Sequence, residues 1–480
     1  MSASTDGTGA ATRHVAVIGG GIAGLAAAYF LSRDSGQHAS QPHVTVFEGS
    51  PELGGKLRVS EIAGVRVDEG ADAILMRRPE GRDLVHEVGL GDDLVPAASG
   101  SASVWSRGAL HPLPRGQIMG VPGDLASLAR SQVLSTAGLA RVPLDLVLPK
   151  TPVSGDMAVG AYVASRVGVE VVDRLVDPLL GGVYAGHAGL LSLDATVPQL
   201  AEPVRTQRSL VESARNLGAQ TGAASSGPVF TTLRQGLGAL PGTLARSSRA
   251  EFRTGATVRE LRRTAQGWRL TVGPTRAQET VYADAVVLAV PASPASRLLA
   301  WDVPAASAEL ESIDYASVVT VTLAYERSAF PRLPEGNGLL VPAVEGRLIK
   351  AATFSTNKWP HLAEQAPGKV IVRCSMGRYG EEHTLQRPDA ELVAAAMTEL
   401  AEAAGVQELP IESRVSRWGG ALPQYAVGHI DRVARIRAAV ARTPGLAVCG
   451  AAYDGLGVPA CVATAEAAAT RVVDHLDSGA

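Results

Sequence analysis

The apolar run Val15-Ala16-Val17-Ile18 leads directly into Gly19-Gly20-Gly21-Ile22-Ala23-Gly24, and the helical pattern Leu25-Ala26-Ala27-Ala28-Tyr29-Phe30-Leu31 follows. A strand, a glycine turn and a helix in this order form a cradle for a dinucleotide. Gly19 is expected to make the tight turn, Gly21 to let the backbone approach a pyrophosphate, and Gly24 to let the helix lie close on the strand. The helix start offers free N–H groups and a positive dipole end to the phosphates. A second apolar run, Val44-Thr45-Val46-Phe47, ends at Glu48, placing a carboxylate where a ribose hydroxyl donates. The bland alternative is a glycine turn in an ordinary βαβ unit.

The segment after that carboxylate narrows the dinucleotide. Glu48-Gly49-Ser50-Pro51-Glu52-Leu53-Gly54-Gly55-Lys56-Leu57 resembles the second FAD signature of the glutathione-reductase-like flavoproteins, especially their amine oxidase branch. In that branch the glycine pair and the following basic residue approach the FAD pyrophosphate and ribose.

Bulk properties exclude several classes. The chain has 480 residues, enough for two or three domains, and its net charge of −3 does not favour a nucleic-acid partner. No apolar run is long enough to span a membrane. Cys374, Cys449 and Cys461 lack metal-ligand spacing and read as buried or free thiols. No metal is expected. The small, polar start has no signal-peptide pattern, so a cytoplasmic protein is expected.

The order of elements predicts an α/β chain. A discontinuous FAD-binding Rossmann domain, residues 14–89, 228–300 and 440–480, follows a disordered tail over 1–13. A mostly helical subdomain that could face a membrane is expected over 90–207, a loop over 208–227, and an α+β substrate domain over 301–439. Ala285-Val286-Val287-Leu288-Ala289-Val290 is uniformly apolar and reads as a parallel strand buried on both faces. A final helix is expected over 463–476.

Further motifs carry a family resemblance. They are Gly70-Ala71-Asp72-Ala73-Ile74-Leu75-Met76-Arg77-Arg78, Leu113-Pro114-Arg115-Gly116, Gly182-Val183-Tyr184-Ala185-Gly186, Asn357-Lys358-Trp359-Pro360-His361, Pro423-Gln424-Tyr425, and Gly455-Leu456-Gly457-Val458-Pro459-Ala460-Cys461. In this order, over nearly the whole chain after residue 13, they resemble the oxygen-dependent protoporphyrinogen/coproporphyrinogen oxidases. The resemblance is strongest to the soluble Gram-positive type that forms coproporphyrin III. The chain departs from the family pattern at Ala71, Ala73, Ile74, His187 and Ala460.

The resemblance implies a glutathione-reductase-like FAD domain with non-covalent FAD. It also implies three two-electron oxidations of coproporphyrinogen III, each sending hydride to flavin N5, with O₂ as acceptor and H₂O₂ released. The product could pass transiently to a downstream haem-pathway enzyme, and membrane contact would be peripheral at most. Residues 19–24 (Gly19, Gly20, Gly21, Ile22, Ala23, Gly24), Glu48, Gly49, Gly55 and Lys56 would hold the FAD phosphates and ribose. Val258 would meet adenine through its backbone. Gly70, Ala71, Asp72, Ala73, Trp418, Gly457, Val458, Pro459 and Ala460 would lie by the isoalloxazine. Arg77, Arg78 and Lys350 are candidates for the substrate's propionates, because such carboxylates need basic partners. No acid–base residue is assigned, since the flavin carries the chemistry. His187, His361 and His429 are expected to have structural or surface roles.

Three other readings compete: a protoporphyrinogen IX oxidase, an amine oxidase or desaturase, and a binding protein that uses the flavin fold without redox work.

Overall fold

The computed structural model describes residues 13–33, 41–98, 100–224 and 227–478. Apart from Arg13, the expected N-terminal tail lies outside the described residues. Five parallel strands form the central sheet, in the order Glu251–Arg253, His43–Phe47, His14–Ile18, Ala285–Leu288 and Leu446–Val448. Val15, Ala16, Val17, Val286 and Val287 are fully buried. That fits a sheet covered on both faces. On one face pack Ile22–Ser32 and Val458–Ser478. On the other lie Ala292–Leu299, Pro304–Glu311 and His429–Ala441. An antiparallel meander, Val258–Thr264, Gly267–Val272 and Glu279–Ala283, packs on that second face too.

A second sheet has seven strands, in the order Glu412–Pro423, Tyr315–Glu326, Lys369–Met376, Ile349–Phe354, Gly338–Leu340, Ala102–Ser106 and Ala109–Pro112. Lys369–Met376 alternates: Cys374 and Met376 are fully buried, while Arg373 and Ser375 take the opposite face. Period-two strands sort their side chains in this way.

Four expectations need correction. Residues 90–207, expected to be mostly helical, are so only from Leu125 onward; the stretch before it holds short strands. Ala102–Ser106 pairs parallel with Gly338–Leu340, and Leu94–Pro96 pairs with Phe230–Leu233. These strands are short, and each partner lies more than a hundred residues away, so no local pattern marks them. The loop expected over 208–227 contains the helix Leu210–Ala224. Its start is held from afar: the Val211 amide and the Ser209 hydroxyl both donate to Asp145 Oδ2, at 2.9 and 2.7 Å. The helices Pro304–Glu311 and His429–Ala441, expected in the substrate domain, pack on the parallel sheet instead. The last helix starts at Val458, not at 463.

Candidate active site

The loops at the carboxyl ends of the parallel strands open onto one cavity of about 980 Å³, which reaches across to the seven-stranded sheet. Gly19 takes φ +110°, a backbone shape that side-chain-bearing residues rarely adopt. A methyl group at Gly24 would stand 1.8 Å from Gly19 O, so the helix can seat here only on glycine. At Gly21 a methyl group would meet no atom within 4 Å and would project into open space. Gly21 caps the helix Ile22–Ser32 without a side-chain hydrogen bond, and no acidic residue sits in the first turn. The N–H groups there remain available to an anion.

Glu48 is fixed by two amides: Gly20 N–H donates to Oε2 and Ser50 N–H to Oε1, each at 2.7 Å. Both oxygens keep a lone pair for a further donor. Gly21 forms an isolated bridge with Gly54, drawing the second signature against the first turn. Lys56 lines the cavity, and burial lowers its pKa. Val258 opens its strand at the cavity wall between Thr257 and Arg259. The helix Val458–Ser478 points its N-terminal end, with Gly457 and Val458, at the same space.

The cavity's other wall is the second sheet. Thr320, Thr353, Arg373 and Ser375 line it from adjacent strands, where Thr320 pairs with Ser375 and Thr353 with Arg373. Val318, Ala421 and Leu422 make it apolar elsewhere, and Trp418 lines it with a buried Nε1 that has no partner. Asp72 lies at the junction. Its carboxylate accepts from Lys358 Nζ at 3.0 Å and Trp359 Nε1 at 3.2 Å, and Arg373 Nη1 stands 3.3 Å away. Burial alone would raise its pKa, but Lys358 and Arg373 hold it at about 2. Four cations (Lys56, Arg259, Arg297, Arg373) face the cavity against two carboxylates (Glu48, Asp72). The excess positive charge suits an anionic ligand. The open Gly21 cradle, the helix start without a side-chain cap and the unpartnered Trp418 indole fit a flavin dinucleotide.

The match to known proteins decides the family. The model for flavin-containing amine oxidoreductases matches residues 22–473. The coproporphyrinogen III oxidase of Mycobacterium tuberculosis is 39% identical over 471 residues, covering 97% of this chain and 98% of its own. That of Bacillus subtilis is 31% identical, covering 97% and 99%. The crystal structure of a candidate protoporphyrinogen oxidase from Exiguobacterium sp. 255-15 superposes with TM-score 0.84 at 31% identity, covering 97% and 99%. This chain is a protoporphyrinogen/coproporphyrinogen oxidase family member. Cyclohexylamine oxidase from Brevibacterium oxydans, at 18% identity and TM-score 0.67, shares the fold.

In this oxidase most of the expected flavin residues converge on the cavity: Gly19, Gly21, Ile22, Ala23, Glu48, Gly49, Gly55, Lys56, residues 70–73, Val258, Trp418, Gly457 and Val458 all line it. Gly20, Gly24, Pro459 and Ala460 stand behind them. Gly20 anchors Glu48, Gly24 seats the helix, and Pro459 packs where Gly81 leaves room. The propionate candidates do not line the cavity. Arg77 is exposed and Arg78 pairs with Glu80 at 3.0 Å. Lys350 is buried, its Nζ donating to Gly377 O at 2.7 Å. Burial, with Arg378 beside it, lowers its pKa to about 7. Sequence reasoning missed Arg373, which sits in an apolar strand; its alternation with Ser375 was the available signal.

His187, His361 and His429 lie outside the cavity lining. His429 stacks on Tyr425 with ring centroids 3.9 Å apart, and its Nε2 meets Tyr453 O at 3.0 Å. All three cysteines are buried and free. Among the described residues no helix is long and apolar enough to cross a membrane.

Proposed function

We propose that the protein oxidises coproporphyrinogen III to coproporphyrin III in haem biosynthesis, with FAD held non-covalently and O₂ as acceptor, releasing H₂O₂. The observation that carries this reading is the continuity of one cavity from the Gly21 cradle to the Arg373 face of the second sheet. A dinucleotide laid along it would put its ring between Trp418 and the Gly457–Val458 turn, leaving the sheet side for substrate. The coproporphyrinogen oxidase relatives give that substrate its name. The parallel sheet with its antiparallel meander supports a glutathione-reductase-like FAD domain. We place the enzyme in the cytoplasm, passing its product on to the next haem-pathway enzyme.

When bound, the flavin supplies a hydride acceptor that O₂ can reoxidise. The chain's own residues do the rest. Glu48 holds the ribose, and the amides at Gly21 and the start of Ile22–Ser32 hold the pyrophosphate. The helix Val458–Ser478 directs its dipole toward negative charge on the ring. Arg373 offers a guanidinium to a propionate, and Val318, Ala421 and Leu422 exclude water from the macrocycle.

The test is reduction of the purified yellow protein, without oxygen, by coproporphyrinogen III and by protoporphyrinogen IX in parallel. The flavin should bleach, and admitted air should restore it with H₂O₂ and porphyrin fluorescence. A requirement for NAD(P)⁺, or no H₂O₂ under air, would overturn the oxidase chemistry. A preference for protoporphyrinogen IX would overturn the substrate.

A further inference from the structure

The second sheet brings three hydroxyl side chains to the cavity, Thr320, Thr353 and Ser375. Among the described residues none of these hydroxyls has a hydrogen-bond partner. Thr320 and Ser375 stand directly opposite each other on the neighbouring strands Tyr315–Glu326 and Lys369–Met376. Such a pair holds its Cβ atoms about 5 Å apart. Thr353 lies one step along, paired with Arg373 on the cationic side. The rest of this wall cannot accept a hydrogen bond. Val318, Ala421 and Leu422 are apolar, and Arg373 and the Trp418 indole only donate. The Tyr315 hydroxyl already accepts the Ala292 amide at 2.9 Å, and Asp72 is engaged by Lys358, Trp359 and Arg373. Thr320 and Ser375 therefore form a pair of open acceptors midway between the Trp418 strand and the Thr353 strand.

The chemistry of the ring explains why hydroxyls suit that position. A porphyrinogen carries four pyrrole N–H donors and no acceptor nitrogen, because each nitrogen lone pair belongs to its own aromatic ring. The porphyrin it becomes has two N–H donors and two acceptor nitrogens. Of the six hydrogens removed, four leave the bridging carbons and two leave nitrogen. The core thus changes its hydrogen-bonding character while it stays bound. A carboxylate would suit the N–H donors alone, and a guanidinium the acceptor nitrogens alone. A hydroxyl gives one hydrogen bond, takes two and rotates to fit either state. A buried N–H left without a partner would cost the ring part of its binding energy.

We propose that Thr320 and Ser375 bind the macrocycle by its nitrogen core. They accept from pyrrole N–H groups of the porphyrinogen and turn to donate to the ring nitrogens of the porphyrin. The inference rests on the proposed function and adds to it the groups that grip the ring itself, while Arg373 takes a propionate. Because both hydroxyls serve every oxidation state, they hold substrate and product alike.

Two porphyrins test this by equilibrium dialysis against the flavin-loaded protein. One is free-base coproporphyrin III. The other is its nickel(II) complex, which keeps the ring and all four propionates but has a square-planar metal on every nitrogen. Thr320→Val, which is near-isosteric, and Ser375→Ala should each raise the Kd of the free base roughly twofold to tenfold, the range for one neutral hydrogen bond, and the double variant should raise it further. The Kd of the nickel complex should stay the same in all of them. Thr320→Ser keeps the hydroxyl and should bind the free base as the wild type does. The KM for coproporphyrinogen III should rise in step with the free-base Kd, at equal flavin content. Equal weakening of both porphyrins would assign the two side chains to packing or to the propionates and overturn the proposal. So would unchanged free-base binding in a folded, flavin-loaded double variant. If the free base binds as expected but coproporphyrinogen III does not reduce the wild-type flavin, the proposed function falls and the hydroxyl pair stands. A wild type that binds neither porphyrin overturns both.

Discussion

Arg373 Nη1 lies 3.3 Å from Asp72 Oδ2, while its Nη2 donates to Gly70 O at 2.5 Å. One guanidinium thus ties the second sheet to the loop that follows the flavin signatures, and it faces the cavity as well.

Arg373→Ala should lower kcat/KM for coproporphyrinogen III by roughly tenfold to a hundredfold, the range for one charged hydrogen bond. Arg373→Lys should recover only part of this, because an ammonium cannot reproduce the fork. Steady-state kinetics at equal flavin content would check it; unchanged kcat/KM in both would remove Arg373 from substrate binding.

Two glycine variants should fail in different ways. Gly21→Val has room in the cradle and should fold and melt like the flavin-free wild type, but should not bind flavin. Gly24→Val drives a side chain into Gly19 O and should lose stability itself. Calorimetry beside the 450 nm absorbance separates the two. Glu48→Ala should weaken flavin binding less than Gly21→Val, since it leaves the cradle in place.

The buried pair Arg166–Asp145 should be the costliest single target. Arg166 Nε donates to Asp145 Oδ1 at 2.5 Å, and both side chains are essentially inaccessible. Asp145→Ala strands Arg166 and uncaps Leu210–Ala224, so a loss of about 3–5 kcal/mol is expected. Urea unfolding of the holoprotein would measure it.

Asp68 and Asp72 should give opposite pH dependences of stability. The raised Asp68 pKa, about 6, contributes stability below about pH 4 that is lost as pH rises through 6. The depressed Asp72 pKa, about 2, contributes stability above about pH 4 that is lost as pH falls through 2. Between pH 4 and 7 the wild type should therefore lose on the order of 2 kcal/mol relative to Asp68→Asn. Denaturant midpoints of both proteins across that range would show it.

The glycine-cradle half of the candidate site was legible because its logic is local. The turn of residues 19–24, the carboxylate ending the next strand and the pair Gly54-Gly55 each lie within a short stretch whose spacing states its purpose. The opposite wall, on the second sheet, was not, because it is assembled from pairings between distant strands. Arg373 reaches Asp72 only through the register of Lys369–Met376, and a basic residue near a motif, such as Arg77, is no guide to where its side chain points. The helix Leu210–Ala224 escaped for the same reason: its cap, Asp145, comes from another part of the chain.

The parallel sheet closes last. Its edge strand Leu446–Val448 pairs with Ala285–Leu288 only after every strand of the seven-stranded sheet has been made, and the helix beginning at Val458 comes later still. A ribosome that has delivered the glycine turn has therefore not yet delivered a flavin site. The nascent chain must keep two ready-made apolar surfaces, the sheet edge and the face awaiting that helix, out of contact with other chains until that strand and helix emerge.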